Sequence, residues 1–285
     1  MFYSRMISKV RKELENIGCF FSGEINFIKV KEDMMLFEAI DKGVSYLIKY
    51  YEFGDVNNLV NKYELLENIG IKTEEIVTYG DNVIVCENME ENYGYQLLKK
   101  SDLCNEDQVR KFARWCECFN VNERSSYPEF ITLFMLDNIK TIVKKFNLYH
   151  NKFINYVIDN FNNIKMKYEK VNKSIILGGF VDNILFCEEK CDFIVCSVNN
   201  IFLGSRYEFV CNLLEIIDEK YKSIFYEEFG QIKKEDQIIG EVVGCISNLY
   251  IYSKCNANSN KVKKYLDMIC DNKMIEMART IVEWY

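Results

Sequence analysis

The chain has 285 residues, 49% of them hydrophobic and 14% aromatic, which is enough to bury a sizeable core in one large domain or two moderate ones. Its formal net charge of −7 leaves no basic footprint for a phosphate backbone, so nucleic acid is set aside as a partner. Nowhere do eighteen uncharged apolar residues follow one another, so no membrane span is expected and the reading is a cytoplasmic protein.

The opening text, MFYSRMISKVRKELENIG, sets Arg5, Lys9, Arg11 and Lys12 among apolar positions and predicts an N-terminal helix. Three short runs follow, GEINFIKVK, MMLFEAI and GVSYLIKYY, punctuated by Gly or Asp, which predicts an antiparallel meander. Residues 57–68 place Leu59, Val60, Tyr63 and Leu66 at helical spacing, and residues 72–80 lead into a further strand, NVIVCENM. One helix is thus inserted in a small sheet.

Composition shifts near residue 90. Asn105 is the expected N-cap of a helix, with Gln108 three residues later and Val109, Phe112, Ala113 and Cys116 on one face. Helices are predicted over 129–146, 152–169 and 207–220, the last with Val210, Leu213, Leu214 and Ile217 facing one way. Two short strand segments interrupt them, 174–180 with 183–186, and 192–198. Only Pro128 breaks the backbone, and no repeat or low-complexity linker occurs. The expected fold class is α+β, with two lobes. A β-rich lobe with one inserted helix covers 1–90, and a mainly helical lobe covers 91–285, with a β-loop-β insert at about 174–198.

Twelve cysteines spread from Cys19 to Cys270, in a chain with a large core and no export signal, read as reduced thiols. Cys116 with Cys118, and Cys187 with Cys191 and Cys196, lack paired C-x-x-C spacing, and His150 is the one histidine. Neither a zinc site nor Ser-His-Asp or Cys-His catalysis is supported. The segment IILGGFVDNILF, residues 175–186, reads as a strand, a tight loop and a second strand. Its loop holds Asp182 and Asn183 but no His, Ser, Cys or Lys.

This order of elements resembles, over nearly the whole chain, the aminoglycoside phosphotransferase and choline kinase-like branch of the protein-kinase-like fold. Residues 82–120 look like that family's hinge and first large-lobe helix, with Phe112-Ala113-Arg114-Trp115-Cys116 for a Leu-Ala-Lys-Trp-Tyr-type run. The run YLIKYY looks like the strand that holds the phosphate-contacting lysine, which makes Lys49 its counterpart. The resemblance implies a nucleotide site along Lys49, Glu87 and Met89, the last two in the hinge text.

The family's catalytic loop carries His-Gly-Asp and, later, Asn, and a following strand ends in a metal-binding Asp. An aspartate accepts the substrate hydroxyl proton, and Asn with Asp holds Mg²⁺ against the phosphate oxygens. Here Leu177, Gly178, Gly179 and Phe180 stand where His-Gly-Asp-Phe would, and Asn183 stands for the metal Asn with spacing one residue short. Aligning FIVCSVNNIFLGSRYEF through Gly204, Arg206 and Tyr207 puts Ser197 where the metal Asp belongs. The helix glutamate that would pair with Lys49 falls near Lys62, with Glu64 and Glu67 the nearest acidic residues. Asp182 is the substitute that the loop offers as base or metal ligand.

These replacements imply an aminoglycoside phosphotransferase-like pseudokinase that acts by binding or assembly on an unidentified small molecule or protein, with no cofactor. One alternative is an active phosphotransferase using ATP and Mg²⁺ on a hydroxyl or amine, through relocated groups Asp182, Asn183 and Asp192. Another is a structural or coat-associated scaffold.

Overall fold

The structure, a computed structural model, describes residues 2–31, 34–121, 132–178, 180–199, 201–254 and 260–284. Two compact units divide the chain: Met1–Asp102 with Val181–Asn199, and Leu103–Phe180 with Asn200–Tyr285. The first unit opens with helix α1 (Phe2–Asn16) and the meander β1 (Ile25–Lys31), β2 (Met34–Asp41) and β3 (Val44–Tyr51). Lys42 and Gly43 join β2 to β3 with φ of 52° and 82°, the two positive values that a tight hairpin turn demands. Helix α2 (Val56–Asn68) starts at Asp55, whose carboxylate accepts from Asn58 N at 3.1 Å, and buries Val56, Leu59, Val60, Tyr63 and Leu66. Strands β4 (Ile76–Tyr79) and β5 (Val83–Glu87) complete a five-stranded antiparallel sheet of order β1-β2-β3-β5-β4.

Alternation along these strands decides which side chains meet. Met6, Val10 and Leu14, one stripe of α1, pack on Ile25, Phe37, Ala39, Ile48, Tyr50, Val83 and Val85. With a period of two, Lys49 stands on the opposite face of β3, away from α1. The unit continues through the short helix α3 (Met89–Tyr93) and strand β6 (Gln96–Leu97).

The second unit begins with α4 (Glu106–Glu117). Its N-cap Asn105 accepts from Gln108 N at 2.9 Å, and Val109, Phe112, Ala113 and Cys116 are buried, as the spacing predicts. Strand β7 (Asn120–Val121) and helices α5 (Leu136–Phe146), α6 (Lys152–Asp159) and α7 (Phe161–Tyr168) follow, then β8 (Lys173–Leu177). The helix expected over 129–146 is described from Leu136; Pro128 and residues 129–131 lie outside the described residues. The helix expected over 152–169 breaks at Asn160. There φ is −110° and ψ is 18°, and the side-chain amide donates to Tyr156 O at 2.9 Å, a local bond that competes with the helix ladder.

Strands β9 (Ile184–Cys187) and β10 (Asp192–Val195) return to the first unit, and β11 (Ile201–Ser205) to the second. The strand expected over 192–198 therefore stops at Val195. The β-loop-β reading of 174–186 also needs correction, because β8 and β9 do not pair with each other. β8 lies between β11 and β7, while β9 lies between β10 and β6. Each strand finds a partner far away in sequence, and residues 178–183, ending in the 3-10 turn Phe180–Asn183, carry the chain from one sheet to the other.

The chain ends in α8 (Arg206–Leu214), α9 (Lys222–Phe229), α10 (Lys234–Lys254), α11 (Asn260–Cys270) and α12 (Asn272–Glu283). The helix expected to reach residue 220 thus stops at Leu214. Its start is a reciprocal cap in which Ser205 Oγ accepts from Glu208 N and the Glu208 carboxylate accepts from Ser205 N at 2.6 Å. Two glycines let α10 approach this turn: a Cβ on Gly240 would stand 2.6 Å from Ser205 Oγ, and one on Gly244 2.7 Å from Glu208 Cγ. The chain is α+β, and no helix among the described residues is long and apolar enough to cross a membrane.

Candidate functional site

Lys49 anchors the site. Its ammonium, 4% exposed, donates to the Glu74 carboxylate, to the Tyr63 hydroxyl at 3.0 Å and to the Cys196 carbonyl at 2.7 Å. An ammonium has three N–H bonds, and these three acceptors match them. Tyr63 in turn donates to Glu74 at 2.7 Å, and burial pushes its hydroxyl well above the ordinary value, so it stays protonated.

Three features of the first unit bring these groups together. The inward stripe of α2 carries Tyr63. Residues 72–74 run alongside the end of β10, with Val195 N donating to Lys72 O at 2.9 Å and Glu74 N donating to Val195 O at 3.1 Å. Cys196, next in the chain, donates its N–H to Asn183 O at 2.9 Å. The same ladder therefore fixes both the carboxylate and the carbonyl that hold Lys49.

The sequence expectation for this pairing differs from what is found. Lys62 is half-buried, Glu64 and Glu67 are exposed, and Glu67 accepts from Thr73 Oγ1 at 2.7 Å. The α2 residue that faces Lys49 is Tyr63, and the carboxylate comes from Glu74, beyond the helix. Sequence reasoning missed Glu74, although consecutive carboxylates ahead of a strand must alternate in direction. Glu74 is indeed 2% exposed, while Glu75 is on the surface.

At the hinge, Glu87 accepts from the Tyr93 hydroxyl, and Met89 packs against the cluster of Tyr95, Leu185, Cys187 and Ile194. Asn88, which no motif singled out, is buried. Its amide donates to Ser45 Oγ at 3.0 Å and to Glu38 Oε1 at 3.2 Å, while its oxygen caps α3 through Glu91 N.

Leu177 is buried in β8, in register with Ile201. Gly179 lies outside the described residues. Asp182 is exposed, while Asn183 and Ser197 are 6% and 7% exposed. Asp192 has both oxygens engaged: Oδ2 accepts from Lys72 at 2.5 Å and from the Tyr95 hydroxyl at 3.1 Å, and Oδ1 from Phe193 N at 3.1 Å. Burial and this carboxylate push Tyr95 up to about 12. Among the described residues, no three His, Cys, Asp or Glu gather as a metal site requires, and no disulfide links the cysteines. In the second unit, Arg206 of the Gly-Ser-Arg-Tyr turn is a brace. It bonds Glu117 at 2.6 Å and the Phe229 carbonyl, and lies 4.4 Å from the Phe229 ring centre.

No protein-family profile and no curated protein sequence matches the chain. Among solved structures it is similar to a choline kinase from Streptococcus pneumoniae, with a TM-score of 0.64 and 10% identity, covering 97% of this chain and 99% of that one. It is also similar to a macrolide 2'-phosphotransferase from Brachybacterium faecium, at 0.57 and 7% over 98% and 97% of the two chains. A spectinomycin phosphotransferase solved with ADP and spectinomycin aligns at 0.51 and 15% over 98% of each chain. The chain therefore has the protein-kinase-like fold, in the form that choline kinases and the aminoglycoside and macrolide phosphotransferases share.

Proposed function

We propose that this chain is a kinase-fold protein that no longer transfers phosphate and acts by binding or assembly. One observation carries the reading: where the resemblance puts the catalytic His and Asp, the chain has Leu177, buried in β8, and Gly179. The Lys49–Glu74 pair, by contrast, is the lysine–glutamate pair that an active kinase of this fold needs, supplied here from outside α2.

The residues present do not suit a phosphate-bound Mg²⁺. Such an ion takes carboxylate oxygens along with phosphate. The positions that the resemblance assigns to it offer the Asn183 amide and the Ser197 hydroxyl, and Asp192 is committed elsewhere. With Leu177 and Gly179 in place of the catalytic His and Asp, no general base stands in the motif. That loss alone is worth about 10²–10⁴ in rate.

The names of the similar structures make ATP-dependent transfer to a small hydroxyl or amine the rival reading. ADP formation, followed with Mg²⁺ and a panel of small amino alcohols and aminoglycosides, separates the two. The proposal expects no turnover above the protein-free rate. Substrate-dependent ADP release that disappears in Asp182→Ala would overturn it.

A further inference from the structure

A cavity of about 630 Å³ opens between α2 and β4, wholly within the first unit. Its floor includes Val60 and Tyr63, and one wall is β4 itself. We propose that this groove docks an extended basic segment of a partner protein, which adds to the sheet beside β4.

Three observations carry the proposal. First, β4 is the terminal strand of the five-stranded sheet and, among the described residues, pairs with β5 alone, across a bulge between Ile76 and Thr78, so its outer edge is a template for another strand. Proteins usually guard such an edge with Lys or Pro. Here Val77 and Tyr79 stand on it at 50% and 44% exposure.

Second, the charge of the groove has one sign. Glu64, Glu67 and Glu75 line it, and no Lys or Arg among the described residues does. Glu64 and Glu75 are exposed, and Glu67 gives one oxygen to Thr73. Of the cations beside lining residues, Lys72 is paired with Asp192 at 2.5 Å, and Lys62 is half-buried near Asp55.

Third, the two features share one wall. Glu75, Val77 and Tyr79 are exposed along it, across the bulge between Ile76 and Thr78. An added strand that carries both Lys or Arg and aliphatic residues would meet both the carboxylates and the apolar edge. A small amine would satisfy the charge but leave the strand edge unused.

The test uses the full chain and a fluorescein-labelled peptide alternating Lys with Val, measured by anisotropy at low ionic strength. The expected result is saturable binding, weakened about tenfold or more in the Glu64→Lys/Glu75→Lys double variant. Amide hydrogen exchange at Val77 and Tyr79 should also slow. Circular dichroism checks that the double variant is folded, and Tyr79→Ser tests the apolar edge with the charges intact. The proposal is overturned by absence of saturable binding, by equal affinity in the double variant, or by binding without protection of β4. Competition by spermidine at the same concentration as the peptide would make the groove a small-cation site instead.

Discussion

The Lys49 ammonium and the Glu74 carboxylate form an ion pair inside the first unit, with the Tyr63 hydroxyl bonded to both. A buried pair adds little net stability over an apolar replacement, but leaving one member unpaired is costly. Lys49→Met should therefore destabilise the protein by about 3–5 kcal/mol in urea unfolding, because the buried Glu74 carboxylate loses its countercharge and keeps only the Tyr63 hydroxyl as a donor. The double variant Lys49→Met/Glu74→Leu should recover much of that loss. If Lys49 serves chemistry and not structure, the single variant will unfold as the wild type does.

Gly244 sits inside α10, where helix propensity alone favours Ala over Gly by about 1 kcal/mol. Contact predicts the reverse. The new methyl would stand 2.7 Å from Glu208 Cγ, inside the capped start of α8, so Gly244→Ala should lower stability by about 1–3 kcal/mol. Urea midpoints at an unchanged m-value give the answer.

Glu208 makes stability depend on pH. Burial raises its carboxyl above the ordinary 4.5, against lowering by hydrogen bonds from Ser205 and Tyr168 and by the Lys173 charge. The folded state thus holds this proton more tightly than the unfolded chain does. Its contribution is present in full below 4.5 and is lost as pH rises through the raised folded value. The melting temperature of Glu208→Gln relative to wild type should therefore climb as pH rises from 4.5 into the neutral range. A pH-independent difference would show that Glu208 does not titrate in that window.

Glu228 has the opposite sign. Hydrogen bonds from Arg114 and then Arg110 pull its carboxyl down to about 2, so its contribution exists above the ordinary 4.5 and fades as pH falls towards 2. Acid titration of the melting temperature should show a shallower decline in Glu228→Gln than in wild type. Equal slopes would mean that the two arginines leave it unperturbed.

Much of the fold was legible because its causes are local. The meander β1–β3, the inward stripe of α2 and the Asn105 cap of α4 each follow from spacing within a dozen residues. The site was less legible because its causes are not. Lys49 was readable from YLIKYY, but its partner depends on residues 72–74 pairing with Val195, more than a hundred positions later. β8 and β9 read as a hairpin, two apolar runs around a glycine turn, yet join different sheets. The break at Asn160 is the exception, since an Asn that bonds back to its own helix is a local signal that the periodicity concealed.

The central claim is that the phosphate grip is gone, and calorimetric titration with ATP, with and without Mg²⁺, tests it most directly. With Ser197 where the resemblance puts the metal Asp, the proposed site lacks the carboxylate that would hold Mg²⁺ against the phosphates. The account predicts weak or absent ATP binding that Mg²⁺ does not strengthen. Binding that Mg²⁺ strengthens, and that Asn183→Ala and Asp182→Ala abolish, would contradict it.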